Sequence, residues 1–131
     1  MSDFTPTNRT LKTGTTLETN ILTSARYGYS EYMAIVTIVE NGFADNVITA
    51  AREVGATGAT ILHARGSGIH ETEKFMNTQI QPEKDVVIIV VEKDILRKTM
   101  SSITQKAGLA TPGRGVSFTL PITDIAGFTV E

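Results

Sequence analysis

The chain has 131 residues, a net charge of −2 and 40% hydrophobic residues, values that fit one soluble globular domain with a small core. Its 12 Lys and Arg residues are scattered, so no basic stripe points to nucleic acid as a partner. It has no cysteine, which excludes disulfides, thiolate nucleophiles and cysteine-ligated metal centres.

The longest uninterrupted apolar run covers residues 86–91. A helix that spans a bilayer needs about 20 apolar residues, so we expect none here. The N-terminal residues are polar and rich in threonine, without the basic and apolar segments of a secretory signal. We therefore expect a cytoplasmic protein.

Residues 1–30 contain many Thr and Asn residues and few periodic apolar positions, so we expect an N-terminal arm or tail before a domain at 31–131. β-Branched residues then predict a strand from Tyr32 to Val39. An amphipathic helix follows, with Gly55 beyond its C-terminus, and its apolar positions are Phe43, Val47, Ile48, Ala51 and Val54.

The next predicted strand runs from Ala59 to Ala64 and is followed by a mostly polar segment, 69–83, in which we expect no regular structure. Residues 85–91 are apolar at both alternating positions, which predicts a central strand that is covered on each face. A second helix begins at Lys93 or Asp94 and ends near Gly108. Its predicted apolar stripe consists of Ile95, Leu96, Met100, Ile103 and Ala107.

The last clear strand runs from Val116 to Leu120 and is closed by Pro121, and residues 127–130 are a candidate for a short fifth strand. Each half of the chain thus reads strand, helix, glycine turn, strand. This order predicts an α+β, ferredoxin-like (βαβ–βαβ) domain with an antiparallel sheet and both helices on one face. We expect symmetric oligomerisation to cover the other face.

Two glycine corners are candidate binding sites: Gly66-Ser67-Gly68 and Gly113-Arg114-Gly115. Backbone N–H groups at such corners can hold a phosphate, and Arg114 can add a fork of donors. Their spacing fits neither a Walker A motif nor a dinucleotide fingerprint. Spacing alone therefore favours two ordinary turns, and the functional alternative pairs the corners across a subunit boundary.

Other polar residues give weaker signals. A metal site could be assembled from His63, His70, Glu71 and Glu73. These residues lack the spacing of metal ligands on a regular element, so hydrogen-bonded or solvated histidines are the favoured interpretation. Thr60 is either a β-branched strand residue or a hydroxyl aimed at a ligand. Capping and solvation account for the carboxylates at element ends, and no catalytic set is visible, so we expect no enzyme and no metal site. Those carboxylates are Asp85, Glu92 and Asp94.

The chain resembles the P-II family of nitrogen-regulatory signal proteins, and especially its divergent P-II-like branch, from Tyr32 to about Gly127. The most specific pieces are residues 55–66 (GATGATILHARG), the apolar strand ending Val90-Val91, and Gly113-Arg114-Gly115 before Phe118. The resemblance implies a non-catalytic homotrimer that binds adenine nucleotides between subunits. It also implies a readout loop, residues 66–83, that contacts a partner such as a membrane transporter or a metabolic enzyme.

The resemblance further implies a role for each matched residue. Thr60 matches a hydroxyl residue near the adenine, and Val91 matches the strand residue against the base. The base of the loop matches Gly66, Ser67 and Gly68, and the phosphate-cradling turn matches Gly113, Arg114 and Gly115.

Several family positions differ in this chain. Val116 stands where a lysine is typical, His70 where a glutamine is typical, and Gly127 and Thr129 where arginines are expected. Residues 69–83 also lack the tyrosine that accepts a modifying group. These losses remove phosphate contacts, so we expect ADP or ATP as ligand, with AMP or cyclic AMP as further options, and no role for 2-oxoglutarate or Mg²⁺.

Two alternatives remain at this point. A CutA-type metal-binding trimer would use His63, His70 and Glu71, but the absence of cysteine and the 6% aromatic content disfavour it. A small phosphatase acting on the bound nucleotide is weaker still, because the sequence offers no positioned base or metal cluster.

Overall fold

Two βαβ units form the frame of the computed structural model, which describes residues 30–67, 73–75 and 78–128. A 3₁₀ turn at Lys93–Ile95 precedes the second helix. The elements in chain order are β1 (Tyr32–Glu40), α1 (Ala44–Glu53), β2 (Thr60–Arg65), β3 (Glu73–Phe75), β4 (Thr78–Ile80), β5 (Glu83–Glu92), α2 (Leu96–Lys106) and β6 (Gly115–Pro121).

The main sheet has the order β2-β5-β1-β6, and all its neighbouring strands are antiparallel. The connections β1-α1-β2 and β5-α2-β6 each skip a strand, so the two units interlock. This order confirms the predicted α+β, ferredoxin-like fold. The predicted bounds of β1, α1, β2 and β6 agree with the structure to within two residues.

The core lies between the sheet and the two helices. Strand residues at alternate positions point into it, as the burial pattern of β5 shows. Each helix contributes the apolar stripe predicted for it, with Val47 and Ile103 fully buried. The remaining buried hydrophobic members of this cluster are Ile35, Val39, Ala44, Ala50, Ala51, Ala56, Val87, Ile89, Val91 and Ala107.

The opposite face of the sheet has no helix over it in the described part of the chain. Val86, Ile88 and Val90 of β5 are half-buried there. Neighbouring side chains on this face are far more exposed: Leu62 at 48%, Val116 at 52%, Phe118 at 41% and Leu120 at 48%. We call these seven residues the open sheet face, and it is the apolar surface that the double-sided pattern of residues 85–91 predicts.

The structure differs from the sequence expectations in two places. The segment 69–83 was expected to lack regular structure, but its backbone contains the β3–β4 hairpin and the start of β5. Strands of three residues are too short to show a period-2 pattern. The second α-helix begins at Leu96 and not at Lys93 or Asp94, because one 3₁₀ turn intervenes.

Three predicted segments lie partly outside the described residues: the arm, the readout loop (68–72 and 76–77) and the candidate fifth strand. Residues 1–29 of the expected arm lie outside them, and so do 129–130 of the candidate fifth strand. Ala126, just before that candidate, forms an isolated bridge. In the portion described, no helix is long and apolar enough to cross a membrane.

Candidate functional site

The two glycine corners lie at the same end of the sheet but on opposite edges. β2 ends where Arg65 pairs with Glu83, and β6 begins where Gly115 pairs with Val39. Because β2 and β6 are the two edge strands, three strand spacings separate the corners, roughly 14 Å. We call Gly66-Ser67 the β2 corner and Gly113-Arg114-Gly115 the β6 corner.

The β2 corner closes the base of the segment that leads to β5. The Gly66 N–H donates to the Pro82 carbonyl at 3.1 Å. A Cβ added to Gly66 would meet no atom within 4 Å, and its φ is not in the left-handed region. The subunit itself therefore does not require glycine here. Ser67 is exposed, and Gly68 lies outside the described residues.

The β6 corner contains two glycines with different roles. Gly113 has a φ of +84°, and a Cβ there would point into open space. Gly115 has a φ of +149°, and its Cβ would lie 2.5 Å from the Ile38 carbonyl oxygen. Packing against β1 therefore requires glycine at 115, whereas the space beside Gly113 remains open to a ligand.

Arg114 lies over the Phe43 ring at the β6 corner and passes close to Gly108. Its guanidinium carbon lies 5.3 Å from the centroid of the Phe43 ring, within the range of a cation–π contact. A Cβ added to Gly108 would lie 3.8 Å from the same carbon. Among the described side chains, no carboxylate forms an ion pair with Arg114.

Asp85 forms a buried polar cluster that the sequence did not reveal. Its residue is only 4% exposed, although it stands near the start of β5. Its carboxylate accepts hydrogen bonds from the Gly42 N–H at 3.0 Å and from the Asn41 amide at 3.2 Å. The His63 Nδ1, on the neighbouring strand, lies 3.0 Å from Oδ1 of Asp85, the oxygen that also accepts from Asn41.

These contacts determine the charge state of Asp85. The hydrogen bond from the Gly42 N–H holds the pKa of the Asp85 carboxyl below its ordinary value of 3.8. Burial acts in the opposite direction, while His63 and Asn41 lower the pKa further. Asp85 is therefore a charged anchor for the turn between β1 and α1, where the sequence had suggested only capping or solvation.

Thr60 and Val91 face different sides of the sheet. Thr60 is exposed and pairs with Ile88, so its side chain shares the open sheet face. Val91 is 2% exposed and lies in the core cluster on the helix side. Its side chain is not available to a ligand in this subunit, and the role expected for Val91 stays a prediction.

Most of the residues considered for a metal site cannot be compared with the structure, because their side chains lie outside its described part. His63 is engaged with Asp85, and His70 and Glu71 lie outside the described residues. Within residues 30–67, 73–75 and 78–128, no group of three or more His, Asp or Glu side chains is placed to hold a metal ion.

Comparisons with known proteins agree with the observed fold. The family model described as nitrogen regulatory protein P-II matches residues 32–129. Among solved structures, the chain is similar to Arabidopsis thaliana PII bound to citrate, with 26% sequence identity and a TM-score of 0.56. That match covers 72% of this chain and 79% of the Arabidopsis chain. No curated protein sequence matches the chain.

Proposed function

The chain belongs to the nitrogen regulatory protein P-II family, and on this premise we propose that it is a non-catalytic, cytoplasmic sensor of adenine nucleotides. The family is one of regulatory signal proteins, so a regulatory role is the starting point. The nucleotide, the subunit arrangement and the partner are the parts that we propose.

The observation that carries the proposal is the placement of the two corners. Gly66 and Gly113 each have open space where a side chain would stand, so backbone N–H groups there can approach an anion closely. The corners lie on opposite sheet edges, so two strands separate them within one chain. A single phosphate group is therefore reached by both corners only if they come from neighbouring subunits.

The open sheet face supports an oligomer in which such neighbours exist. Its exposed Leu62, Phe118 and Leu120 side chains form an apolar surface that is unfavourable in water. Packing three copies around these faces would bury the surface and bring a β2 corner toward a neighbour's β6 corner. We propose a homotrimer with three equivalent clefts.

We assign one cationic side chain, Arg114, to the proposed cleft. The cleft therefore offers few charged contacts to the phosphates of ADP or ATP. Arg114 supplies one guanidinium, whose charge-assisted hydrogen bonds contribute about 1.5–3 kcal/mol each. Val116, 52% exposed, provides no charge at the position where family members typically have lysine. We therefore propose binding without Mg²⁺ and without 2-oxoglutarate.

Occupancy would be read out by residues 66–83, which begin at the β2 corner. The Gly66–Pro82 hydrogen bond closes the base of this segment next to the proposed phosphate position. A nucleotide that contacts Gly66 thus changes the population of the segment's conformations. The partner that we propose is a membrane transporter or a metabolic enzyme.

A calorimetric titration of the full chain with ATP, ADP, AMP, cyclic AMP, 2-oxoglutarate and citrate tests the ligand class. Citrate is included because the Arabidopsis PII structure contains it. We expect saturable binding of ADP or ATP that is insensitive to Mg²⁺. Binding of none of the adenine nucleotides would overturn the proposal.

The CutA-type alternative is tested in the same instrument with Cu²⁺. The sensor proposal expects heat from ADP and no stoichiometric Cu²⁺ binding. Stoichiometric Cu²⁺ binding that His63→Ala abolishes, with no response to nucleotides, would favour the metal-binding alternative.

A further inference from the structure

A continuous set of contacts crosses the end of the sheet and finishes at Arg114. It begins at Asp85 on β5, whose carboxylate accepts the Gly42 N–H at 3.0 Å. Gly42 is bonded to Phe43, and the Phe43 ring carries the Arg114 guanidinium. The proposed phosphate donor is thus connected to a buried carboxylate two strands away from β6.

Asp85 determines the conformation of the turn that precedes Phe43. Gly42 has a φ of +99°, a conformation that glycine adopts without steric strain. β5 makes a second contact with this turn, because the Asn41 N–H donates to the Glu83 carbonyl at 3.3 Å. Hydrogen bonds to an ionised acceptor are stronger than neutral ones, so the Asp85 contact is the main restraint on this turn.

Phe43 is itself a fixed support. The residue is half-buried, packs against the core cluster and donates its N–H to the Glu40 carbonyl at 3.1 Å. A guanidinium that lies over an aromatic ring keeps its in-plane N–H donors free for an anion. No carboxylate among the described residues occupies those donors of Arg114.

We propose that Phe43 positions the Arg114 guanidinium for a nucleotide phosphate, and that Asp85 positions Phe43 through the Gly42 N–H. This inference rests on the proposed nucleotide-binding function. It assigns two positioning residues outside both glycine corners, neither of which touches the ligand itself.

The first test compares Phe43→Leu with the matched control Phe43→Tyr by calorimetry with ADP and with adenosine. Leucine keeps an apolar side chain but removes the aromatic face, whereas tyrosine retains that face. Losing an exposed cation–π contact corresponds to about a two- to fivefold weakening of ADP binding. Adenosine affinity should stay unchanged in both variants, and Phe43→Tyr should bind ADP like the original chain.

A double-mutant cycle shows whether the effect passes through Arg114. In the Arg114→Ala background, Phe43→Leu should cause no further loss of ADP affinity. Equal losses from Phe43→Leu in the presence and absence of Arg114 would overturn the positioning role, because Phe43 would then act independently.

Asp85→Asn tests the second step, with His63→Gln as its control. The Gly42 N–H bonds Oδ2 of Asp85 and His63 contacts Oδ1, so His63→Gln leaves the Gly42 contact in place. We expect Asp85→Asn to weaken ADP binding more than adenosine binding. In the Phe43→Leu background, Asp85→Asn should cause no such additional loss of ADP affinity. An unchanged ADP-to-adenosine ratio in folded Asp85→Asn protein would contradict this step.

A readout without ligand separates this inference from the proposed function. The Arg114 Nε–H resonance in NMR spectra should be displaced by the Phe43 ring current and should lose that displacement in Phe43→Leu. Asp85→Asn should reduce the displacement, and Phe43→Tyr should retain it. If ADP fails to bind but these shifts appear, the nucleotide proposal is wrong and the positioning stands. If Phe43→Leu leaves the resonance unmoved, the positioning is wrong whether or not ADP binds.

Discussion

Gly113 and Gly115 stand two positions apart in one corner, yet only one of them is required by the subunit's own packing. A side chain at 115 would collide with the Ile38 carbonyl, whereas one at 113 would enter open space. The sequence shows two equivalent glycines, because backbone φ and the approach of a distant strand are not visible in it. For the same reason the Asp85 cluster, which joins three elements, could not be predicted.

The residue scale gives a prediction about glycine substitutions. Gly115→Ala should lower the free energy of unfolding by about 2 kcal/mol or more, because the new Cβ overpacks β1. The matched control, Gly66→Ala, should change it by less than about 0.5 kcal/mol, since nothing lies within 4 Å. Urea unfolding of both variants checks this, and equal stability of the two would contradict it.

A second prediction at the residue scale concerns how the free energy of unfolding depends on pH. The folded-state pKa of Asp85 lies below its ordinary value of 3.8, so the folded state favours the charged carboxylate. Its stabilising contribution is complete above pH 3.8 and is lost as pH falls through the lowered folded pKa. Asp85→Asn should therefore flatten the fall in unfolding free energy below pH 3.8. An unchanged slope in that range would show that Asp85 carries no such linkage.

At the scale of elements, predictions succeeded where periodicity extends over many residues. β1, α1, α2 and β6 carry apolar stripes or alternation long enough to identify them. The β3–β4 hairpin lacks such a pattern, and the 3₁₀ turn before Leu96 continues the helical spacing of α2, so the helix start was placed too early.

The α2 stripe supports a prediction about packing. Ile103 is fully buried between α2 and the sheet, so Ile103→Ala should cost about 2–5 kcal/mol of unfolding free energy. Gln105→Ala, on the exposed side of the same helix, should cost less than about 0.5 kcal/mol. Thermal and urea unfolding would compare the two, and similar losses would argue against the assigned helix face.

At the scale of the whole molecule, the order of elements and the doubly apolar residues 85–91 predicted both the fold and its uncovered sheet face. What they could not reveal is which partner would cover this face, because an apolar pattern indicates that a face is buried and not what buries it. The open sheet face therefore leads to a prediction about assembly.

Phe118→Asp should dissociate the proposed trimer, because it places a charge within the apolar surface that the subunits bury. Sedimentation velocity should show the original chain as a trimer and the variant as smaller species with retained circular dichroism. Gln105→Asp, on the exposed side of α2, is the control for an added charge and should remain trimeric. A monomeric original chain would remove the basis for shared clefts.

The claim that one nucleotide site is built from two chains is tested most directly by subunit mixing. Gly66→Val blocks the β2 corner, and Gly113→Asn blocks the β6 corner with a residue that tolerates positive φ. Each variant alone should lose ADP binding, measured by calorimetry. Trimers re-formed from both should regain ADP binding in the clefts where two intact corners meet. If mixing restores nothing although mixed trimers form, each site lies within a single chain and the account is wrong.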